Sequence, residues 1–289
     1  MVISPKTHAL LQLIRFDKPI GTLLLLWPAL WALWLAAQGM PDYTLLAIFL
    51  AGAFLARSAG CIINDLADRN LDGAVARTNA RPLVTGTITV REALALFVAL
   101  MLLAFILVLF TNRLTVILSV GAVILASSYP FMKRYMQLPQ LVLGAAFSWS
   151  IPMAFAAQSG ALPPALWLLY LGNLLWTMAY DTAYAMVDRE DDIKIGIKST
   201  AILFGQYDRL MIALLQVSSL ICLYLAGQAF GLGLYYNASL VVSAALFGYQ
   251  QYLIRERKPD ECFRAFLHNN WVGMVIFVGV ALNYLTDGT

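Results

Sequence analysis

Charge is what this sequence has least of. Only 12% of its 289 residues are Asp, Glu, Lys or Arg, where a soluble domain carries about 25%. A water-soluble fold of this size would lack the polar surface to cover its core, so a large soluble α-helical domain is excluded. Histidine is nearly absent, with His8 and His268 alone, and the three cysteines, Cys61, Cys222 and Cys262, are far apart. They offer no metal-ligand spacing and no evident disulfide. The basic residues are spread along the chain rather than gathered in one patch, so a nucleic-acid partner is not expected.

Long apolar runs fill the chain instead, with 61% hydrophobic residues. A bilayer span takes roughly 20 apolar residues. Residues 19–41, 93–112 and 114–132 carry no charge, 43–64 carry only Arg57, and 265–286 form a last run beginning just before His268. Two runs are too long for one span. Residues 135–180 are broken by Ser159, Gly160, Pro163 and Pro164, and residues 210–254 by Gly227, Gly231 and Gly233. The expectation is nine transmembrane helices in a single all-α domain over residues 1–289. Continuous rather than alternating apolar runs exclude a barrel, and lipid admits no other open structure. The first run is too long for the apolar region of a signal peptide and lacks a small-residue cleavage site.

With nine spans, one membrane side collects 17 of the 19 basic residues; Arg113 lies opposite and Arg57 within a span. The positive-inside rule puts that side, with the N-terminus, in the cytoplasm and the C-terminus in the periplasm, as for a cell inner-membrane protein. The acidic residues gather there too, leaving only Asp42 and Asp287 on the far side, although acidic groups do little to orient a chain. A cation site is the natural cause.

Two loops on that side carry acidic motifs. Asn64, Asp68 and Asp72 are four apart, so on a helix continuing from the second span they would stack along one face. Tyr184, Asp188 and Asp192 repeat the spacing, with Asp181 seven before Asp188 on roughly the same face. The form Asp-Arg-x-x-Asp recurs 120 residues on, from Asp68–Asp72 to Asp188–Asp192, which suggests two four-helix halves plus a ninth helix. Facing carboxylates with no His or Cys suit Mg²⁺ bridged to substrate phosphates. Lys133 and Arg134, Lys194 and Lys198, and Arg77 and Arg81 all follow where they could neutralise phosphate oxygens. Arg57, inside a span, is costly unless it faces a cavity or partner; lining the pocket, it could bind an anionic substrate group. His268 suits an interfacial role. A cation-coupled transporter would also have many helices and carboxylates, but its site would sit near the midplane between broken helices.

At these motifs the sequence strongly resembles the UbiA family of intramembrane aromatic prenyltransferases, and most closely those members that prenylate 4-hydroxybenzoate. The carriers are residues 16–21 (FDKPIG), Asn64–Asp72 with Arg77-Thr78 and Arg81-Pro82-Leu83, residues 129–135 (YPFMKRY), Gly144–Phe147 and, most specific, residues 181–201 (DTAYAMVDREDDIKIGIKSTA). The resemblance implies nine helices around a central lipid-accessible cavity and two Mg²⁺-binding motifs, Asn64, Asp68 and Asp72, then Asp188 and Asp192, with the four aspartates as the catalytic carboxylates. It implies diphosphate-binding roles for Arg15, Lys133 and Arg134, and pocket roles for Tyr129 and Tyr184; Asp181 and Lys198 belong to the second signature. The expected reaction moves a polyprenyl group from polyprenyl diphosphate to the ring carbon beside the hydroxyl of 4-hydroxybenzoate, within membrane lipid, early in ubiquinone synthesis. A sibling with another aromatic acceptor is the alternative.

Overall fold

The computed structural model describes residues 4–287 apart from Ala76 and the side chain of Asp287, so the expectation for that carboxylate lies outside the described residues. Thirteen α-helices and no strand occur among them. In chain order they are α1 (Pro5–Leu13), α2 (Ile20–Ala37), α3 (Tyr43–Asp68), α4 (Val90–Leu109), α5 (Arg113–Tyr135), α6 (Pro139–Ser148), α7 (Ser150–Ser159), α8 (Leu166–Ala185), α9 (Arg189–Ile195), α10 (Thr200–Phe204), α11 (Asp208–Ala229), α12 (Leu234–Leu253) and α13 (Pro259–Asp287).

Local chemistry sets the boundaries. The Asp42 carboxylate accepts from the Thr44 and Leu45 N–H groups at 2.8 and 3.0 Å and starts α3. Thr89 and Glu92 form a reciprocal capping box at α4. Asn112 accepts from the Thr115 N–H at 3.0 Å and starts α5. The turn formers at 160–164 separate α7 from α8, where the sequence expected a break.

Seven segments are long and apolar enough to cross a bilayer: Ile20–Ala37, Tyr43–Asp68, Val90–Leu109, Arg113–Tyr135, Pro139–Ser159, Thr200–Ala229 and Pro259–Thr286. The chain is thus a multi-pass membrane protein. Two further helices, α8 and α12, are 20 residues each but are less apolar, because they carry polar residues into the interior: Asn173, Thr177 and Asp181 on α8, and Ser239, Ser243 and Gln250 on α12.

Those polar groups join helices. Between helices in lipid, packing and hydrogen bonds replace much of the hydrophobic drive that operates in water. Asn173 Nδ2 donates to Ser148 Oγ at 2.8 Å, tying α8 to α6. Trp176 Nε1 donates to Asn269 Oδ1 at 2.8 Å and Trp31 Nε1 to the Gly273 carbonyl at 3.0 Å, while the two indoles stack at 5.5 Å. These contacts lock α2, α8 and α13 at the centre. Gln216, between Gln250 and Gln251, joins α11 to α12 at 2.9 and 3.0 Å.

Candidate active site

Helices α1 to α8 and α13 line a cavity of ≈ 1050 Å³. Its wall is apolar along most of its length, with Leu24, Phe49, Ala104, Ala122, Phe147 and Met153, and polar at one end, with Asn64, Asp65, Arg81, Lys133, Asp181 and Tyr184. On α5 the lining runs from Lys133 to Thr115, about 27 Å at 1.5 Å per residue. One face of that helix supplies it, with small side chains at Ser119, Ala122 and Ala126.

The two motifs meet just beyond the polar end: Asn64, Arg77, Lys133 and Tyr184 line the wall, and Asp68, Asp72, Asp188 and Asp192 lie outside the lining. Arg77, from the loop after the first motif, donates from Nε to the Asp188 carboxylate of the second at 3.0 and 3.1 Å. Its guanidinium lies 4.8 Å from the centre of the Tyr184 ring. Lys133 Nζ stands 3.6 Å from Asp68 Oδ2 and 3.5 Å from Asn64 Oδ1, and 5.5 Å from the centre of the Tyr129 ring. Arg134 lies 3.6 Å from the other Asp68 oxygen. Arg81 reaches Asp72 Oδ2 at 2.6 Å.

The helical ladders are interrupted, which corrects the simple stacking expected from the spacing. Helix α3 ends at Asp68, and Asp72 opens a separate 3₁₀ turn, Asp72–Ala74. Helix α8 ends at Ala185, and Asp188 precedes α9. So Asn64 and Asp68 share a helix face, as do Asp188 and Asp192 at the start of α9, but Asp72 and Tyr184 reach the site from other elements. The physical reason is the Asp/Asn content: these side chains favour non-helical turns and repel along one face.

Arg15 and Lys198 take other partners than the expected diphosphate. Arg15 Nη2 donates to both oxygens of Asp65 at 2.9 Å. Lys198 Nζ donates to the Tyr135 carbonyl at 3.2 Å and its N–H to the Lys133 carbonyl at 2.9 Å, which fastens the second-motif loop to the end of α5. Asp65 falls off the Asn64–Asp68 face, so the motif spacing does not point to it. It is 1% exposed and held by Arg15 and by Arg81, also at 2.9 Å. The only sequence signal was a carboxylate at the end of a span, which demands a cation partner.

Arg57 lines the cavity, and no hydrogen bond reaches it among the described residues; its buried Nε is without a partner. Gly21 makes room for it: a Cβ there would lie 2.3 Å from Nε. Arg257 pairs with the fully buried Asp208 at 2.8 Å, alongside Arg189. His268 packs at 5.0 Å from the Tyr249 ring.

Among the described residues no three carboxylates are already clustered as a metal cage. The donor set nevertheless fits a hard cation: oxygen ligands from two sides of the cavity mouth, and no nitrogen or sulfur. Burial pushes the Asp72 carboxyl up, against the opposing Arg81. Burial, with the adjacent Asp188 charge adding, pushes Asp192 up to about 6. Burial is the chief cause of both shifts.

The UbiA prenyltransferase family matches residues 25–273. This chain belongs to that family. The 4-hydroxybenzoate octaprenyltransferase of Saccharophagus degradans is 62% identical to it, over 95% of this chain and 92% of the relative. The apo structure of a UbiA homolog from Aeropyrum pernix K1 superposes with a TM-score of 0.81 at 25% identity, over 93% of this chain and 98% of the other. A UbiA homolog from Archaeoglobus fulgidus bound to GPP and Mg²⁺ shares the fold, with a TM-score of 0.76 at 19% identity, over 96% of this chain and 99% of the other. The chain is therefore a prenyltransferase, and its polar site stands at one end of an apolar cavity.

Proposed function

We propose that this UbiA prenyltransferase transfers a long polyprenyl group from polyprenyl diphosphate to the ring carbon ortho to the hydroxyl of 4-hydroxybenzoate, an early membrane step of ubiquinone synthesis. The observation that carries the reading is one cavity with three chemistries: an apolar length for a prenyl tail, a mouth of carboxylates and cations for a diphosphate, and an unpartnered Arg57 guanidinium between them for an aromatic carboxylate. The high identity to a relative named for that acceptor supports the choice of substrate.

Asn64, Asp68, Asp72, Asp188 and Asp192 are the residues that would hold Mg²⁺. Bound there, the ion supplies Lewis-acid neutralisation of the leaving diphosphate. Lys133 and Arg134, and Arg77 and Arg81 once released from their carboxylates, bind diphosphate oxygens and stabilise the charge that develops as the allylic C–O bond breaks. Arg57 orients the aromatic acid, with Tyr129, Tyr184 and Asp181 around it. The ring carbon beside the hydroxyl attacks the allylic cation, and the ring then loses a proton. The apolar wall keeps water from the cation, which hydrolysis would otherwise consume. In this reading α8 and α12 also cross the membrane, making nine spans in the inner membrane, with the motif loops in the cytoplasm and the C-terminus in the periplasm.

Membranes containing the protein, incubated with radiolabelled 4-hydroxybenzoate and a polyprenyl diphosphate, test the reading. A lipid-soluble product that requires Mg²⁺ and is lost in Asp68→Ala and Asp188→Ala is the expected result. Product from a different aromatic acceptor alone would change the substrate. No product from any acceptor in folded protein would remove the enzyme.

A further inference from the structure

Two buried carboxylates line the cavity, and they are treated differently. Asp65 is locked by Arg15 and Arg81. Asp181 is 8% exposed and belongs to no ion pair among the described residues. A carboxylate inside a membrane protein without a counter-ion is costly to keep, which points to a use.

Its position suggests the use. Asp181 lies one turn inside the end of α8. Arg57, on α3, lies two turns before Asn64, about 10 Å along the helix. The charges of Lys133, Arg57 and Arg77 act on Asp181 without pairing with it, and the Gln140 side chain stands beside it. Gln140 Oε1 accepts the Thr200 N–H at 3.0 Å, which leaves its amide NH₂ free on the side of Asp181. Cation and carboxylate thus flank the same part of the cavity, just below the diphosphate-binding groups. An aromatic acid held by its carboxylate on Arg57 would share that cavity with Asp181.

We propose that Asp181 is the general base that takes the ring proton after the new carbon–carbon bond has formed. This rests on the prenyl-transfer reading above. The ring π electrons form the bond to the allylic carbon and leave a cationic ring with an sp³ carbon. The C–H bond at that carbon breaks, its electron pair restores aromaticity, and the proton goes to an Asp181 carboxylate oxygen. The neutral acid then gives the proton to the released diphosphate, which restores the carboxylate. Before that transfer, the same negative charge stabilises the cationic ring in a site with little water.

The test is Asp181→Asn in the full-length protein, in detergent or membranes, beside the parent, with three readouts. Exchange of bridging and non-bridging ¹⁸O in an allylic diphosphate, without acceptor, reports breaking of the C–O bond. Single-turnover transfer to 4-hydroxybenzoate reports the whole reaction. The same transfer with 3,5-dideuterated acid reports the proton step. In the variant, oxygen exchange should be unchanged and transfer should fall roughly 10²-fold. A primary deuterium isotope effect absent from the parent should appear. Asp181→Glu keeps the carboxylate and should lose less while still showing the isotope effect; it also serves if the Asn variant does not accumulate. Oxygen exchange falling in step with transfer would make Asp181 part of the donor site and overturn the proposal. So would slow transfer without an isotope effect in either variant, which leaves the proton to the diphosphate, or transfer at the parent's rate. A parent that transfers to no acceptor would remove the prenyl-transfer reading itself, and the base with it.

Discussion

Arg77 and Asp188 close the mouth of the cavity from opposite motifs, the guanidinium Nε lying 3.0 Å from one carboxylate oxygen and the arginine resting on Tyr184. In the proposed reaction Asp188 serves the cation and Arg77 the diphosphate. On that reading, substrate and ion together must exchange this pairing. Arg77→Gln should lower the Mg²⁺ concentration for half-maximal thermal stabilisation, because Asp188 is freed. It should also raise the KM for the prenyl diphosphate by about tenfold or more, the size of a charge-assisted hydrogen bond. Melting curves against Mg²⁺ and donor kinetics check the two halves separately.

If Asp192 holds Mg²⁺ as proposed, proton and metal compete there. Its carboxyl titrates at about 6 in the fold, above the ordinary Asp value of about 3.9. A raised carboxyl favours the metal-free folded state at low pH, and that contribution is lost as pH rises through about 6. Mg²⁺ takes the ionised form, so its stabilising effect runs the other way and grows over the same interval. The rise in melting temperature on adding Mg²⁺ should be small at about pH 5 and large at about pH 7.5, and Asp192→Asn should flatten the difference.

Arg57 should discriminate between the substrates. Arg57→Ala is expected to raise the KM for the aromatic acid roughly tenfold to a hundredfold, the equivalent of about 1.5–3 kcal/mol, and to leave the KM for the donor close to the parent's. Gly21→Ala gives a subtler version. Its Cβ would force the guanidinium to move, while Ala favours the helix. It should weaken acceptor use without lowering the melting temperature.

Arg15→Ala separates anchoring from substrate binding. Because Arg15 is spent on Asp65, its loss should destabilise the fold by about 1.5–3 kcal/mol, the range for a hydrogen bond to a charged group. The donor KM should stay near the parent value. A donor KM that rises while the melting temperature holds would assign Arg15 to the diphosphate instead.

The helical membrane fold was legible because the apolar runs and their Pro/Gly breaks act locally: a span of about 20 apolar residues has no other stable form in lipid. The breaks at 160–164 and near Gly231 lie between helices as expected. The pairing of motifs was legible in outline, because Asp68 and Asp188 carry the same spacing and charge. Where spacing was extended as continuous helix, to Asp72 and Tyr184, it failed, since helix ends depend on which carboxylates find cations in three dimensions.

The sequence by itself determined a multi-pass helical protein with acidic and basic motifs, and the intramembrane Arg57, because burial in lipid and local helix periodicity leave few alternatives. Only the tertiary structure decided which charge meets which. Arg15 and Arg81 close on Asp65, Arg77 crosses to Asp188, and Arg57 and Asp181 stand on the cavity wall with no ion pair among the described residues. Ion pairs form between residues far apart in the chain, as Arg77 and Asp188 are, so their choice depends on how the helices pack and on the desolvation each charge meets there.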